Sequence, residues 1–488
     1  AGLAAPEADR VTILPGYGPP PTPQYSGFLS AEAAEKGTRL HYWFAAAEGA
    51  TVAESAAKPL VLWLNGGPGS SSVIGMLQEH GPLLLAPSAQ RGSLLENPYA
   101  WTKEANLLVL ESPAGVGYSY CAAQLSGGDC SNTDDSTAAA ARAALLDFFA
   151  SKFPELAANE MYITGESYAG VYIPTLTKAI LDGNDAGASP KVNLVGVAVG
   201  DPCTDNDSQR DSMDMLWYGH KYGFVPDAEF DLLWNTCGHR FPAALSGAAH
   251  APAEGSPATP ECEAARRKFL LGTSKAFSQE WKLAWINDVS LYGPSAIVGY
   301  DLPGSLNYKM AAWMMDPDVR KALHVESAPA KAWPGPSAGW GYEKQYAACN
   351  DAAAPGAKSM VDFYRDVAPR LEVALVFNGD TDPCVSYEGT RDAMVKVGLP
   401  EKAGGAYRPW FFNATGAGLG FLKQKPLLFG PSLAVQGAGP QFGGHVVDYE
   451  QGLSFLTVHG SGHMVPQFRP RAALHMLRKL LAKAPLSP

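Results

Sequence analysis

The sequence predicts an α/β fold: a central, mostly parallel sheet flanked by helices and interrupted by one inserted region. Three observations carry this expectation. Compact apolar runs recur and end in Gly- or Pro-rich loops; amphipathic helical stretches alternate with them; and the alternation stops near Asp201 and resumes near Arg370. Short buried strands separated by helices are the mark of a parallel sheet covered on both faces.

Each element has its own reason. Residues 1–30, rich in Pro, Gly and Tyr, read as an extended arm. Leu40–Ala45, Pro59–Leu64, Asn106–Glu111, Glu160–Thr164 and Val192–Val199 read as strands, because continuous apolar runs suit strands buried on both faces. Asp134–Lys152 opens with acidic and hydroxyl residues and continues at helical spacing, so it reads as a helix. Ala169–Leu181 reads as another. Beyond Asp201 the stretch to about residue 340 holds clustered Trp and few clean strands, and Phe241–Pro260 has the composition of a mobile loop. Strands return at Arg370–Phe377 and Gly452–Val458, and Arg471–Lys483 is a closing amphipathic helix. The predicted division is a discontinuous core, residues 1–204 and 345–488, with residues 205–344 inserted as a cap.

Composition excludes several function classes. The 488 residues carry 37 Lys and Arg against 48 Asp and Glu, a net charge of −11. An acidic chain lacks the basic surface that nucleic acid or an anionic membrane requires. No apolar run reaches the length of a membrane span. The seven cysteines include no C-x-x-C pair, which removes zinc-ribbon and thioredoxin readings. Scattered cysteines suit a few disulfides and one remaining thiol. With the sequons at Asn206 and Asn413 they point to the secretory route. Ala1–Tyr25 holds no charged-then-apolar leader, as expected of a processed or an engineered N-terminus.

Gly165-Glu-Ser167-Tyr-Ala-Gly170 lies between a predicted strand and a predicted helix. A nucleophile on such a strand-to-helix turn needs small residues two positions to either side, and Gly165 and Ala169 supply them. A serine here also suits a helix N-cap. If Ser167 is a nucleophile on this kind of sheet, an acid and then a His follow it in the chain. His445, His459, His463 and His475 lie in the last fifty residues. His475 sits in the closing helix, His445 in a stretch with no clear strand before it, and His459 at a strand end. His463 lies in the Gly-rich loop beyond that strand and is the favoured base, with His459 as its structural neighbour. The acid follows Arg370–Phe377, where both Asp380 and Asp382 stand. Asp380 suits a turn-shaping role and Asp382 is better placed to reach across the sheet end, a distinction the spacing barely makes. Asn65-Gly-Gly-Pro-Gly-Ser-Ser-Ser72 offers backbone N–H groups for an oxyanion, together with the N–H of Tyr168; it lacks the Lys of a phosphate-binding loop.

Five blocks, in order, resemble the serine carboxypeptidase family: Trp63-Leu-Asn-Gly-Gly-Pro-Gly-Ser-Ser71, Glu111-Ser-Pro-Ala-Gly-Val-Gly-Tyr-Ser-Tyr120, Gly165-Glu-Ser-Tyr-Ala-Gly170, Asn378-Gly-Asp-Thr-Asp382 and Gly462-His-Met-Val-Pro466. The resemblance implies an α/β-hydrolase fold and a catalytic set of Ser167, His463 and Asp382, with Gly67 and Tyr168 as the oxyanion hole. It implies that Asn65, Gly66, Glu79 and Glu166 hold the substrate's C-terminal carboxylate. It implies no metal and no cofactor, peptide or protein C-termini as substrate, an acidic pH optimum, and a vacuolar, lysosomal or extracellular location. Monomer and homodimer stay open. Members often carry Cys where this chain has Ser70, and Cys349 stands near that Cys's usual partner, so Cys203 becomes its candidate partner. Cys121–Cys130 and Cys237–Cys262 are the expected local bridges, and Cys384 is set aside as a thiol near the site. An acyltransferase on the same scaffold is the first alternative, although those relatives usually carry Asp before the serine where this chain has Glu166. A non-catalytic binding or protective protein is the second, and it would be expected to have lost a triad member.

Overall fold

The computed structural model describes residues 6–49, 52–85, 94–239, 259–273, 306–414 and 439–487. Its strands are β1 Arg10–Val11, β2 Gln24–Ser30, β3 Arg39–Ala45, β4 Leu60–Leu64, β5 Leu83–Leu85, β6 Leu94–Glu96, β7 Asn106–Leu110, β8 Ser131–Thr133, β9 Met161–Glu166, β10 Leu194–Gly200, β11 Gly341–Glu343, β12 Val373–Gly379, β13 Arg408–Ala414, β14 Gly439–Asp448 and β15 Leu453–Val458. Eleven of them form one sheet in the order β1-β2-β3-β7-β4-β9-β10-β12-β15-β14-β13. From β7 to β15 every pairing is parallel, and the strands at both flanks are antiparallel. The expected α/β class with a mostly parallel sheet is therefore what the chain adopts.

Side-chain alternation explains how one sheet supports two cores. In β4, Leu60, Leu62 and Leu64 enter one hydrophobic cluster while Val61 and Trp63 enter the other. Successive strand residues point to opposite faces. The first face is covered by helices Asp134–Asp147, Ala169–Asp185 and Met360–Val367. The second is covered by Val73–Gln78 and Pro470–Leu481. Thr133 caps the first of these helices and accepts from Ser136 N in a capping box, so its boundary is fixed locally.

Several sequence expectations change. The N-terminal arm contributes β1 and β2, because the β2 residues pair with all of β3 and bury nearly every side chain against it. The Pro-rich composition concealed a strand whose stability is tertiary. His445 lies inside β14, not in an irregular stretch. The glycines before it bring backbone close to backbone: a Cβ on Gly444 would lie 2.0 Å from Thr457 O. Of Phe241–Pro260 only residues 259 and 260 are described. The inserted stretch divides in two. Met215, Leu216, Leu233, Trp234 and Phe269 form a hydrophobic cluster of their own, whereas Met310, Trp313, Val319, Leu323 and Trp333 join the core of the sheet.

The structure pairs Cys121 with Cys130, Cys203 with Cys349, and Cys237 with Cys262. The second bridge spans 146 residues and fastens the chain after β10 to the chain before Met360–Val367. Removing it with the double change Cys203→Ser and Cys349→Ser is expected to lower the unfolding free energy by about 2–5 kcal/mol, read from denaturant titration. An unchanged midpoint would mean that packing alone holds the two segments together.

Candidate active site

β9 ends at Glu166 and the following helix begins at Ala169, so Ser167 sits in a two-residue turn. Its φ is 66°, in the left-handed region that non-glycine residues avoid. The turn is held from three sides: Ser167 N donates to Gly200 O at 2.9 Å, and its carbonyl accepts from Gly170 N at 2.8 Å and Cys203 N at 3.0 Å. The small residues around it are required by contact. A Cβ on Gly165 would lie 2.1 Å from Leu64 O and 3.0 Å from the Ala169 methyl, and one on Gly170 would lie 2.4 Å from Cys203 O.

The Gly-rich loop after β4 packs directly on this turn. A Cβ on Gly66 would lie 2.2 Å from Tyr168 N, and Gly67 has φ 111°. Among the described residues, neither the Gly67 N–H nor the Tyr168 N–H donates to an acceptor. Asn65 is oriented by its own acceptor: Trp63 Nε1 and Gly75 N donate to its Oδ1 at 2.8 and 3.1 Å. Its Nδ2 is thereby turned to two acids, donating to Glu166 Oε1 at 2.9 Å and to Glu79 Oε1 at 3.3 Å. The second oxygens of both acids are buried and receive no donor. Burial pushes the Glu166 carboxyl well above its ordinary range, and the charge of Glu79 adds to this. Burial likewise pushes Glu79 up, to about 7, against the opposing pull of Asn65, Glu166 and His463. Two desolvated acids that share the Asn65 amide are not both ionised without large cost, so a proton is favoured on one of them.

The loops after β12 and β15 carry two Asp–His pairs. His463 Nδ1 meets Asp382 Oδ2 at 2.7 Å with both side chains buried. His459 Nδ1 meets Asp380 Oδ2 at 2.8 Å, but His459 is 54% exposed. The distinction the spacing barely made is thus one of burial. The turn-shaping role expected of Asp380 belongs to the other acid: Cys384 N and Val385 N donate to Asp382. Asp380 instead reaches across to Gly460 N at 2.6 Å. Since β9, β12 and β15 are parallel members of one sheet, the chain leaves all three at the same end. Ser167, Asp382 and His463 therefore gather there. Cys384 lies in the same group, its sulfur within 4.8 Å of Asp382 and His463 side-chain atoms.

The serine carboxypeptidase family model matches residues 15–483. The chain belongs to the serine carboxypeptidase family. It is 31% identical to serine carboxypeptidase 24 of Arabidopsis thaliana, over 98% of this chain and 92% of that one. It is 30% identical to the lysosomal protective protein of Mus musculus, over 99% of this chain and 95% of that one. A prohormone-processing carboxypeptidase of Saccharomyces cerevisiae, Kex1Δp, shares the fold with a TM-score of 0.66 at 20% identity, covering 94% and 91% of the two chains. The protein is thus a serine-type carboxypeptidase with the α/β-hydrolase architecture.

A second Ser–His–acid chain exists in this carboxypeptidase, one that no motif marks. Ser26 Oγ lies 2.9 Å from His41 Nε2, and His41 Nδ1 lies 2.8 Å from Glu111 Oε2. Ser26 Oγ gives its proton to Leu323 O at 2.7 Å, and all three residues are fully buried. No substrate carbonyl reaches it. The chain is a structural network, completed by donors to Glu111 from Tyr118 N, Trp333 Nε1 and Ser71 Oγ. Of the two sequons, Asn206 has both ends of its amide engaged by the Asn350 backbone, while Asn413 is exposed.

The Glu79–Glu166 pair has a consequence for stability. Its folded-state pKa values lie above those of the unfolded chain, so the folded protein retains a proton that the unfolded chain releases. The stability so contributed is present at low pH and is lost as pH rises from the ordinary carboxylate range toward about 7. The unfolding free energy of the unmodified protein, minus that of Glu166→Gln, is therefore expected to fall between about pH 4 and neutrality. A difference that stays level across this range would contradict the shared proton.

Proposed function

We propose that this enzyme removes C-terminal residues from peptides and proteins through an acyl-enzyme on Ser167, with His463 as base and Asp382 as its orienting acid. The observation that carries the reading is the acid pair. A protein rarely buries two carboxyls together without a cation, yet Glu79 and Glu166 meet beside the nucleophile with Asn65 between them. A protonated carboxyl donates a hydrogen bond, and an amide does so at every pH. Asn65, the Gly66 backbone and one protonated Glu make a receptor for a free C-terminal carboxylate, and that receptor restricts cleavage to the last peptide bond.

The chemistry follows from the geometry. Ser167 Oγ attacks the last peptide carbonyl while His463 Nε2 takes its proton. The oxygen becomes anionic and is held by the N–H groups of Gly67 and Tyr168. The C–N bond breaks as His463 returns the proton to the departing amine, freeing the C-terminal amino acid. Water then attacks the acyl-Ser167 ester with His463 again as base, releasing the shortened peptide and restoring the serine. Asp382 keeps the Nδ1–H tautomer of His463 and stabilises the imidazolium. The part of the cap formed by residues 215–239 and 259–269, which has its own hydrophobic cluster, suits control of access. The likeness to a lysosomal protective protein and to plant serine carboxypeptidases supports a secretory, vacuolar or lysosomal setting, with Asn413 as the glycan site. No described helix is long and apolar enough to cross a membrane.

Ser167→Ala is expected to lower kcat by several orders of magnitude, on the order of 10⁶, while substrate still binds. His463→Ala should resemble it, and Asp382→Asn should cost far more than Asp380→Asn. A greater loss from His459→Ala than from His463→Ala would move the base to the exposed pair.

The carboxylate receptor is tested by charge. As pH rises, the shared proton leaves and negative charge faces the substrate carboxylate. KM for free-acid peptides is therefore expected to climb toward and above neutrality, and KM for matched C-terminal amides to climb much less. Combined with the requirement for neutral His463, this gives an acidic optimum in kcat/KM for free acids. Changing Glu79 and Glu166 together to Gln should flatten the climb. Parallel KM curves for acid and amide on the unmodified enzyme would refute the receptor.

A further inference from the structure

Asp201 directly follows β10 and stands beside Asp382, the acid that His463 meets. It is fully buried and adopts φ 44°. Its backbone N–H donates to Phe377 O at 2.7 Å, which fixes it against the end of β12. Its Oδ1 accepts from Gly379 N at 2.9 Å and from Asn378 Nδ2 at 3.2 Å. Its Oδ2 is buried and, among the described residues, receives no N–H or O–H donor. What stands within hydrogen-bonding reach of Asp201 is the Asp382 carboxyl.

Two carboxylates in contact in an apolar interior cannot both be ionised, so one of them carries a proton. The donor inventory decides which. Asp382 accepts from Cys384 N, Val385 N and His463 Nδ1, all of which favour its charged form. Asp201 has donors on one oxygen alone; its other oxygen is buried without a donor, and the carboxyl within reach of Asp201 is that of Asp382. The charges around Asp201 agree with this. Burial, then the negative charge of Asp382, then that of Glu166 at the end of β9, push its carboxyl well above the ordinary range against the Gly379 N–H. The imidazole of His463 on Asp382 is the basic neighbour of the group, and the Cys384 thiol is the remaining titratable one.

We propose that Asp201 is a positioning residue for the triad: it holds a proton at Oδ2 and donates it to Asp382, making a four-membered line of neutral acid, carboxylate, imidazole and serine. This deepens the triad reading and rests on it. The donated hydrogen bond fixes the Asp382 carboxylate and draws charge from it. His463 is thereby made less basic and stays neutral, and so able to accept the serine proton, further into the acid range. When Asp201 releases its proton to solvent, a second negative charge presses on Asp382 and the line is broken. The device favours work at acidic pH through kcat, separately from the carboxylate receptor, which acts through KM.

Asp201→Asn tests it. Asn retains the Oδ1 acceptor, tolerates positive φ, and places an Nδ2–H where the acid proton stands, but has no proton to lose. The substrate is a C-terminally amidated blocked dipeptide, which carries no carboxylate and so leaves the Glu79–Glu166 pair out of the readout. The ratio of kcat at pH 8.5 to kcat at pH 5 is expected to rise at least about fivefold in Asp201→Asn, with KM changed by less than about twofold. Asp201→Ala, which offers neither donor nor acceptor, should lose kcat at both pH values. A kcat profile in Asp201→Asn with the same shape as the unmodified enzyme's, whether at full height or evenly lowered, would overturn the proposal. An infrared difference spectrum, unmodified minus Asp201→Asn, gives a readout independent of turnover. A protonated-carboxyl C=O band should appear at pH 5 and fade as pH rises, and its absence would also overturn the proposal. If Ser167→Ala kept its activity, the triad reading would fall while the infrared band still reported on Asp201, so the two failures are distinguishable.

Discussion

Four carboxyl groups, those of Glu79, Glu166, Asp201 and Asp382, are buried around one serine, and the site depends on how few of them are ionised at once. None of the four forms a described ion pair with Lys or Arg; the basic group they meet is the imidazole of His463, on Asp382. An isolated buried carboxylate costs several kcal/mol even after relaxation, so the arrangement persists by keeping protons. The acids divide into two pairs, Glu79 with Glu166 and Asp201 with Asp382. Glu79 and Glu166 each keep one oxygen without a donor, and so does Asp201 in the other pair; these are the places for a proton. In the proposed mechanism one pair meets the end of a substrate and the other stands behind His463, and both would keep their protons most readily in acid.

The sheet makes this concentration of acids possible. Parallel strands end together, so loops after β4, β9, β10, β12 and β15 share one edge although they are far apart in sequence. The close approach of those loops depends on absent side chains. Gly66 lets the Asn65 loop touch Tyr168 N, and Gly379 lets the β12 loop pass Ser461 O at 2.4 Å from where a Cβ would be. The turn strain at Ser167 is held by backbone hydrogen bonds from β10 and the segment after it, which the Cys203–Cys349 bridge anchors. Strain of this order, about 1–3 kcal/mol, survives where the surroundings over-determine it.

Much of this was legible in the sequence because its signals are local. Compact apolar runs ending in Gly or Pro gave the parallel strands to within a few residues, and five ordered motif blocks gave the family. What stayed hidden is tertiary. β2 is a strand because β3 is beside it, and nothing in Gln24–Ser30 distinguishes it from an extended arm. β14 contains a glycine pair that reads as loop, yet the glycines are there for close strand packing. The choice between Asp380 and Asp382 needed burial, which two residues of spacing do not encode. Asp201 carried no signal beyond the end of a rhythm, because the acid it meets is brought to it by another strand.

The Ser26–His41–Glu111 chain shows why short distances alone do not define a catalytic site. Its two contacts are as close as a working triad requires, and its acid is held by more donors than Asp382. It differs in three physical respects. Ser26 lies within a strand, so no turn lifts its hydroxyl toward substrate. Its proton is committed to the Leu323 carbonyl. By contrast, Gly67 and Tyr168, whose N–H groups donate to no acceptor among the described residues, flank Ser167. The same three residue types therefore make a structural tie between the N-terminal strands and the inserted region in one place, and the proposed nucleophile in the other. The separating features at Ser167 are the left-handed turn and the waiting donors. Both were foreshadowed by small residues around the serine and by the glycine loop before it.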